Sequence, residues 1–538
     1  MLNEIRQWRV VSDRLRYWAQ SAPDRRLFRC GGDWLSFGQV DQITDAIAGA
    51  LDAQGVAKSD RVAILLPNCE EYVLSILAVA KLGAIQVPLN IYLKGEFLRH
   101  QLVDSGSSVL IADSSGLAEV AKRRDTLPDL RFTVAVVKDG ERAATGAIPF
   151  ADIRDADSRC PAVHIAPRDT AAIFYTSGTT GPAKGCVISH GYYSYFPWGW
   201  FENDWIRTDD RMLSMMPLFH TAGQGFALVP AILAGAELTV TTTFSASGFL
   251  DECRRVQATT AFGVGAMGMA ILATPEGPAD RDNDLRAAIF PPMAPSDRRK
   301  FGRRFGTTVV SDGYGQTECN PLTMSPLAEQ GELPGSLGKP VPYLDVALVD
   351  ENDVPVPTGE VGEIVVRPRE PMVIFDGYWD NAAATVQSSR NLWHHTGDRA
   401  RLGADGRLTF VDRNSDSMRR RGENISSMEL ERAIVEHHKI AAVATHGVPS
   451  VLGEDDVKAW IVTVPGASFT PDELHEFFVA NLPYFVIPRY VEFIDELPVN
   501  ALGRVTKFEL REKDNSTAWD FEMLNLAVSK EDRRSSSS

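Results

Sequence analysis

Cysteine is scarce and scattered in this chain. The six residues at 30, 69, 160, 186, 253 and 319 form no CxxC pair and no Cys/His cluster. That spacing excludes a thiolate zinc site and a disulfide framework, and predicts free thiols in a reducing compartment. Cys186 reads as a small buried filler. Long apolar runs are lacking too: the longest, 225–240, is short for a bilayer and carries Glu237, so no membrane span is predicted. The opening residues MLNEIRQWRVV have no apolar signal core, and a cytoplasmic location is expected. Positive charge is in deficit, with 55 Lys and Arg against 71 Asp and Glu and a net charge of −16. The basic residues are dispersed, so nucleic acid is not expected as a partner. No internal repeat is visible. What the chain does have is length: 538 residues, 44% hydrophobic, exceed one ordinary core and imply at least two domains.

The most informative stretch is YTSGTTGPAKG, from Tyr175 to Gly185. Glycines at 178, 181 and 185 let backbone N–H groups face an anion without a Cβ in the way. Thr176, Ser177, Thr179 and Thr180 add hydroxyl donors, and Lys184 adds a point charge. The preceding AAIFY reads as a buried strand, so the loop leaves a strand end as phosphate loops do. It is not the Walker pattern, because Gly185 follows Lys184 where Ser or Thr is required. The plain alternative is a Ser/Thr/Gly surface turn.

Downstream come PLFHTAG at 217–223, DGYGQTE at 312–318, TGEVGEIVVR at 358–367, WHHTGD at 393–398 and VDRNSDSMRRRGENIS at 411–426. In order and spacing these motifs resemble the adenylate-forming superfamily of acyl-CoA synthetases, peptide-synthetase adenylation domains and luciferases. The resemblance covers nearly the whole chain. It implies an α/β protein with a large layered N-terminal domain, 1–412, a hinge at 413–416, and a small mobile α+β lid, 417–515. Residues 516–538 lose periodicity and are expected to be a partly disordered tail. Monomer and homodimer both remain open.

A carboxylate resists attack by a thiol at neutral pH because its leaving group would be oxide, whereas an acyl-adenylate leaves AMP. The resemblance implies ATP, Mg²⁺ and CoA, and assigns candidates. For ATP these are Thr176, Ser177, Gly178, Thr179, Thr180 and Lys184 in the loop, with Tyr314, Gly315, Gln316 and Thr317. Tyr314 is suited to stack on adenine and Thr317 to meet phosphate. Glu318 is the candidate Mg²⁺ ligand. Asp398 and Arg413 match the pair that holds the ribose hydroxyls. His220 matches a gate between the acid pocket and the thiol path. The pocket wall is expected from Trp198, Phe201, Val264, Gly265 and Met267 with Tyr314 and Gly315. The aromatic run at 192–205 suggests a flat pocket for an aryl acid, or core packing. Arg421 and Gly422 are the candidates for CoA, a solvated charged turn being the alternative.

The pattern breaks in the lid. The family's adenylating lysine follows a glycine, and here Gly503 is followed by Arg504. Arginine keeps the charge but spreads it over a planar fork. Arg504 is expected to take the lysine's part with Lys507 second. If this segment is a strand, Lys507 faces away from Arg504. Ser415 stands at the hinge position, and FPPMAP at 290–295 replaces a glycine- and alanine-rich adenine cradle. The texture of GVGAM, RRRGENIS and GRVTKFELR is similar to the crotonobetaine and carnitine CoA-ligase branch. The expected function is ATP-dependent activation of a carboxylic acid, then transfer to CoA. Two other readings stand: an adenylating enzyme with another acceptor, such as an amide ligase or a diazotase using nitrite and an aryl amine, and a non-catalytic nucleotide-binding scaffold.

Overall fold

The computed structural model describes residues 2–137, 144–176, 182–330, 335–413, 417–450, 454–498, 505, 507–526 and 528. Two sheets of seven strands form the heart of the large domain. One runs in the order Ile148–Pro149, Phe132–Val136, Val109–Asp113, Arg61–Leu65, Ile85–Pro88, Thr170–Thr176, Lys184–Ser189, parallel except for the last pair. The other is built around Arg211–Ser214, Glu237–Val240 and Thr260–Phe262, also parallel. Their strands are apolar runs buried on both faces, as parallel sheets covered by helices require. Helix Phe37–Ala53 shows why the intervening segments start where they do. Ser36 accepts from the Gln39 N–H and the Gln39 side chain returns to the Ser36 N–H, a capping box just before an apolar face.

A third seven-stranded sheet is antiparallel and includes Gly313–Gln316, Cys319–Met324, His394–Leu402 and Leu408–Arg413. The last two of these strands form a hairpin through Asp405–Gly406, with Gly406 at φ 79°. Inside this sheet Asp398 stands opposite Arg413, the last residue of its strand. Hinge residues 414–416 lie outside the described residues.

The lid begins with the hairpin Ser417–Arg420/Glu423–Ser426, continues into helix Ser427–Val435, and holds a sheet of four strands. Its last strand, Trp519–Asp520, corrects the expected tail from 516. That strand pairs with Tyr490–Phe493, Phe521 is buried, and Arg489 holds Asp520 at 3.0 Å. A strand of two residues leaves no periodicity to read. Lys507 opens helix Lys507–Arg511, so the strand-face argument does not apply to it. Arg504 lies outside the described residues. Across the seam, Leu98 and Leu102 of body helix Gly95–Asp104 share one apolar cluster with Leu430, Ala433 and Ile434 of the lid helix.

Candidate active site

The phosphate stem is built by strand pairing. Thr176 ends one strand and Lys184 opens the next, in register across the hairpin. Ser177, Gly178, Thr179 and Thr180, which lie between them, are outside the described residues. Thr176 Oγ1 donates to Glu318 Oε1 at 3.2 Å, and the Tyr378 hydroxyl donates to the same oxygen at 3.0 Å. Lys184 Nζ lies 5.2 Å above the Tyr378 ring. Glu318 is 7% exposed. Burial, then the Glu318 charge, push the Tyr378 phenol up, so it stays a donor. Among the described residues no cluster of three or more His, Cys, Asp or Glu is placed for a metal. Magnesium would therefore take one protein carboxylate here and fill its shell from phosphate and water, which suits that ion. The donor set fits.

The nucleoside side is joined to this stem by the turn that carries DGYGQTE. Tyr314 OH donates to Asp398 Oδ2 at 2.5 Å, and Gln316 Nε2 donates to the same oxygen and to the Thr396 carbonyl, both at 2.8 Å. Asp398 is 1% exposed. Burial first and Asp398 second raise the Tyr314 phenol well above its usual range. Gly315 and Thr317 sit part-exposed on the same turn, and the Thr317 carbonyl accepts from Tyr192 OH at 3.1 Å. A run of five residues thus touches both the candidate metal position and the candidate ribose carboxylate.

The acid side differs from expectation at one point. Trp198 is 1% exposed, with Arg6 and Arg9 over its ring at 4.6 and 4.9 Å and Tyr343 packed against it at 5.5 Å. It faces the N-terminal segment. Two residues on, about 200° round the helix, Trp200 stacks on Phe226 at 4.3 Å and 7° with Phe262 edge-on at 5.1 Å. Both tryptophans are buried, and helical phase, not composition, decides which one meets Phe226 and Phe262. Phe201 is buried in the same cluster, against which part-exposed Ala222, Val264 and Tyr314 pack. Phe226 lies in the π-helical turn Gln224–Leu228, a distortion frequent at functional sites. Gly265 is required, since a Cβ there would sit 1.7 Å from the Pro292 carbonyl oxygen. Met267 stands on the same helix, Gly265–Leu272, and is part-exposed.

The lid closes this end. His220 Nε2 lies 3.0 Å from Glu423 Oε1, which also accepts from Asn90 Nδ2 at 3.1 Å. Burial opposes the charged ring, but the Glu423 charge and hydrogen bond outweigh it and raise the His220 pKa. The hairpin turns on Arg421 and Gly422, at φ 56° and 82° between the paired Arg420 and Glu423. Positive φ at both positions is the type I′ turn that hairpins favour, and glycine meets it without strain. Arg421 lies 5.2 Å over the Tyr484 ring, and Tyr484 meets body residue Tyr92 at 4.5 Å. Arg420 is instead buried against Asp456 at 3.2 Å and serves the lid fold. Lys507 Nζ is held by Ser427 Oγ at 2.6 Å and Glu431 Oε1 at 2.7 Å. Sequence reasoning missed Tyr378 and Glu423, and placed Trp200 only within the aromatic run. Glu423 stood inside a quoted motif, and only lid docking reveals its partner.

The model for the AMP-binding enzyme family matches residues 15–379, and that for the AMP-binding enzyme C-terminal domain matches 429–504. Feruloyl-CoA synthase of Amycolatopsis sp is 32% identical over 499 residues, covering 92% of this chain and 97% of that protein. Crotonobetaine/carnitine–CoA ligase of Salmonella agona is 30% identical over 494 residues, covering 89% and 93%. Among solved structures, a double mutant of o-succinylbenzoate CoA synthetase from Bacillus subtilis bound with its product analogue OSB-NCoA is similar at TM-score 0.81 and 25% identity, covering 93% of this chain and 98% of that one. The same synthetase in complex with AMP reaches 0.66 at 26% identity, covering 94% and 99%. With a family model over most of its length and relatives matched nearly end to end, the chain belongs to the AMP-binding enzyme family, as an AMP-forming ligase of the acyl-CoA synthetase type.

Proposed function

We propose that this protein activates an aromatic carboxylic acid with ATP, releasing pyrophosphate, and passes the acyl group of the adenylate to the thiol of CoA, releasing AMP. The observation that carries the reading is the turn 314–318, which ties Asp398 at one end and Glu318, Thr176 and the Lys184 strand at the other. A nucleoside triphosphate needs such a site: a carboxylate for ribose hydroxyls and a cationic, hydroxyl-lined stem for phosphates. Glu318 would hold Mg²⁺, which when bound neutralises charge developing on the phosphates. Lys184 would balance phosphate charge from the stem, and Asp398 would orient the ribose.

The aromatic floor made by Trp200, Phe226 and Phe262 supports a flat aryl acid over a bulky aliphatic one. Docking of the Arg421–Gly422 turn beside His220 brings the lid to the acid gate, where an entering thiol must pass. The better match to the product-analogue complex than to the AMP complex supports a lid placed for transfer. Adenylation would then require the lid to rotate about 413–416 and bring Arg504 to the reacting oxygens, Lys507 being engaged by Ser427 and Glu431. The test is pyrophosphate release with ATP and Mg²⁺ across hydroxycinnamic, benzoic, aliphatic and trimethylammonium acids, with and without CoA, with products identified by mass. Acyl-CoA from aryl acids is expected. Pyrophosphate release without acyl-CoA would move the acceptor away from CoA, and preference for aliphatic acids would reject the aromatic pocket.

A further inference from the structure

The body loop 90–94 meets the lid through three side chains. Asn90 Nδ2 donates to Glu423 Oε1 at 3.1 Å, the oxygen that His220 Nε2 also reaches at 3.0 Å. The Tyr92 ring meets Tyr484 edge-on at 4.5 Å. Lys94, only 7% exposed, donates from Nζ to the Val479 carbonyl at 3.3 Å. That carbonyl belongs to the last turn of lid helix Pro471–Asn481, where carbonyls lack helical partners and a cation is favoured. Gly95 follows at φ 53°, and a Cβ there would lie 3.0 Å from the Asn481 carbonyl oxygen. The body thus completes the end of a lid helix with a buried cation and lets its backbone come close through a glycine.

Asn90 is oriented by its own loop. Its Oδ1 accepts from the Tyr92 N–H at 3.0 Å, which leaves Nδ2 to face the lid. The loop therefore presents a donor where Glu423 brings a carboxylate, whereas an aspartate of nearly the same shape would present a second anion. We propose that Asn90 is a positioning residue for the transfer step, fixing Glu423 against His220 when the lid docks, and that Lys94 secures the other end of the docked lid by capping helix Pro471–Asn481. The inference rests on the ligase reading above and adds to it the body residues that recognise the docked lid.

A double-mutant cycle on the full chain tests this with two readouts. Hydrogen exchange of the hairpin 417–426 reads docking without any substrate, and rapid quench with ATP, Mg²⁺, ferulic acid and CoA reads each half-reaction. Asn90→Asp keeps the acceptor for the Tyr92 N–H, and an unchanged melting temperature checks its fold. It should speed exchange of the hairpin about tenfold and slow transfer by a similar factor, the scale of one hydrogen bond to a charged group, with pyrophosphate release unchanged. Glu423→Gln alone should slow transfer about tenfold as well. In Asn90→Asp/Glu423→Gln the carboxylate and the amide have exchanged places, so the two losses should stay near tenfold instead of multiplying to about a hundredfold. Lys94→Met should lower transfer severalfold, and its loss should multiply with that of Glu423→Gln because the two contacts are separate. Multiplying losses in Asn90→Asp/Glu423→Gln, wild-type exchange in Asn90→Asp, or equal slowing of both half-reactions overturns the assignment. If the wild type makes acyl-CoA and Asn90→Asp changes neither exchange nor transfer, the positioning role alone fails. If no acid of the panel gives acyl-CoA while Asn90→Asp still speeds exchange, the ligase reading fails and the docking contact stands.

Discussion

The two halves of this site are held by different kinds of contact. On the body, Asp398, Glu318, Tyr314, Gln316, Thr176 and Tyr378 are bonded to one another before any substrate arrives, and both carboxylates are buried. On the lid, Glu423 reaches across the seam to a half-open histidine and to Asn90. The body is preorganised, and its geometry survives any movement of the lid. Beside the apolar seam of Leu98, Leu102, Leu430 and Ile434, the lid meets the body through charged contacts that can be exchanged without unfolding either domain. One immobile set of donors can therefore support two successive reactions, provided that everything that changes between them is carried by the lid.

This contrast can be broken most strongly on the body. Glu318→Gln should lower the rate of pyrophosphate release by about a hundredfold or more, the usual consequence of losing a central electrostatic group of ~3 kcal/mol. Transfer from a preformed acyl-adenylate should hardly change, and rapid-quench measurement of each half-reaction separates the two. Asp398→Asn comes next, with an expected loss near ~2 kcal/mol, the scale of a hydrogen bond to a charged group. It should appear mainly as a raised KM for ATP. If either variant slowed both half-reactions equally, the body would not be the invariant partner described here.

Lid changes should be smaller and confined to the second reaction. Glu423→Gln should slow CoA transfer about tenfold and leave pyrophosphate release intact, consistent with ~1.5 kcal/mol for a partly exposed charged contact. The sign of its pH dependence follows from His220. Its pKa is raised in the docked state, so protonation favours docking: the contribution is full below the ordinary histidine range and is lost as pH rises through the raised value. The pH profile of the transfer step should fall on its alkaline side, and Glu423→Gln should move that fall to lower pH. The smallest effect is expected for Arg421→Ala, a severalfold rise in KM for CoA with kcat for adenylation unchanged, checked by steady-state kinetics at varied CoA.

The sequence made the body half readable because its chemistry is packed into short local motifs. Thr176, Lys184, Glu318 and Asp398 stand in three such stretches, and sheet pairing brings them together. Resemblance to relatives was enough to order the stretches. What could not be read depends on phase or on docking. Trp198 and Trp200 are the same residue type in the same run, and only the helix decides that Arg6 and Arg9 cover one while Phe226 covers the other. Lys507 opens a helix because its segment closes back on the Ser427 helix, which local pattern does not encode. The strand Trp519–Asp520 is too short to leave a period, yet Arg489 binds it between Asp456 and Asp520. The contact of Glu423 with His220 joins residues more than two hundred positions apart and exists only with the lid in place.

The apolar cluster that runs unbroken from Leu98 and Leu102 to Leu430 and Ile434 has a thermal consequence. Swinging the lid away wets that surface, and wetting apolar surface raises heat capacity. With the lid rotating as proposed, the balance between its two positions is curved in temperature, with docking weakened on cooling as the entropic drive to bury hydrocarbon fades. An enzyme of this build should shift toward its adenylating arrangement in the cold, so the step that limits its turnover depends on the temperature at which it works.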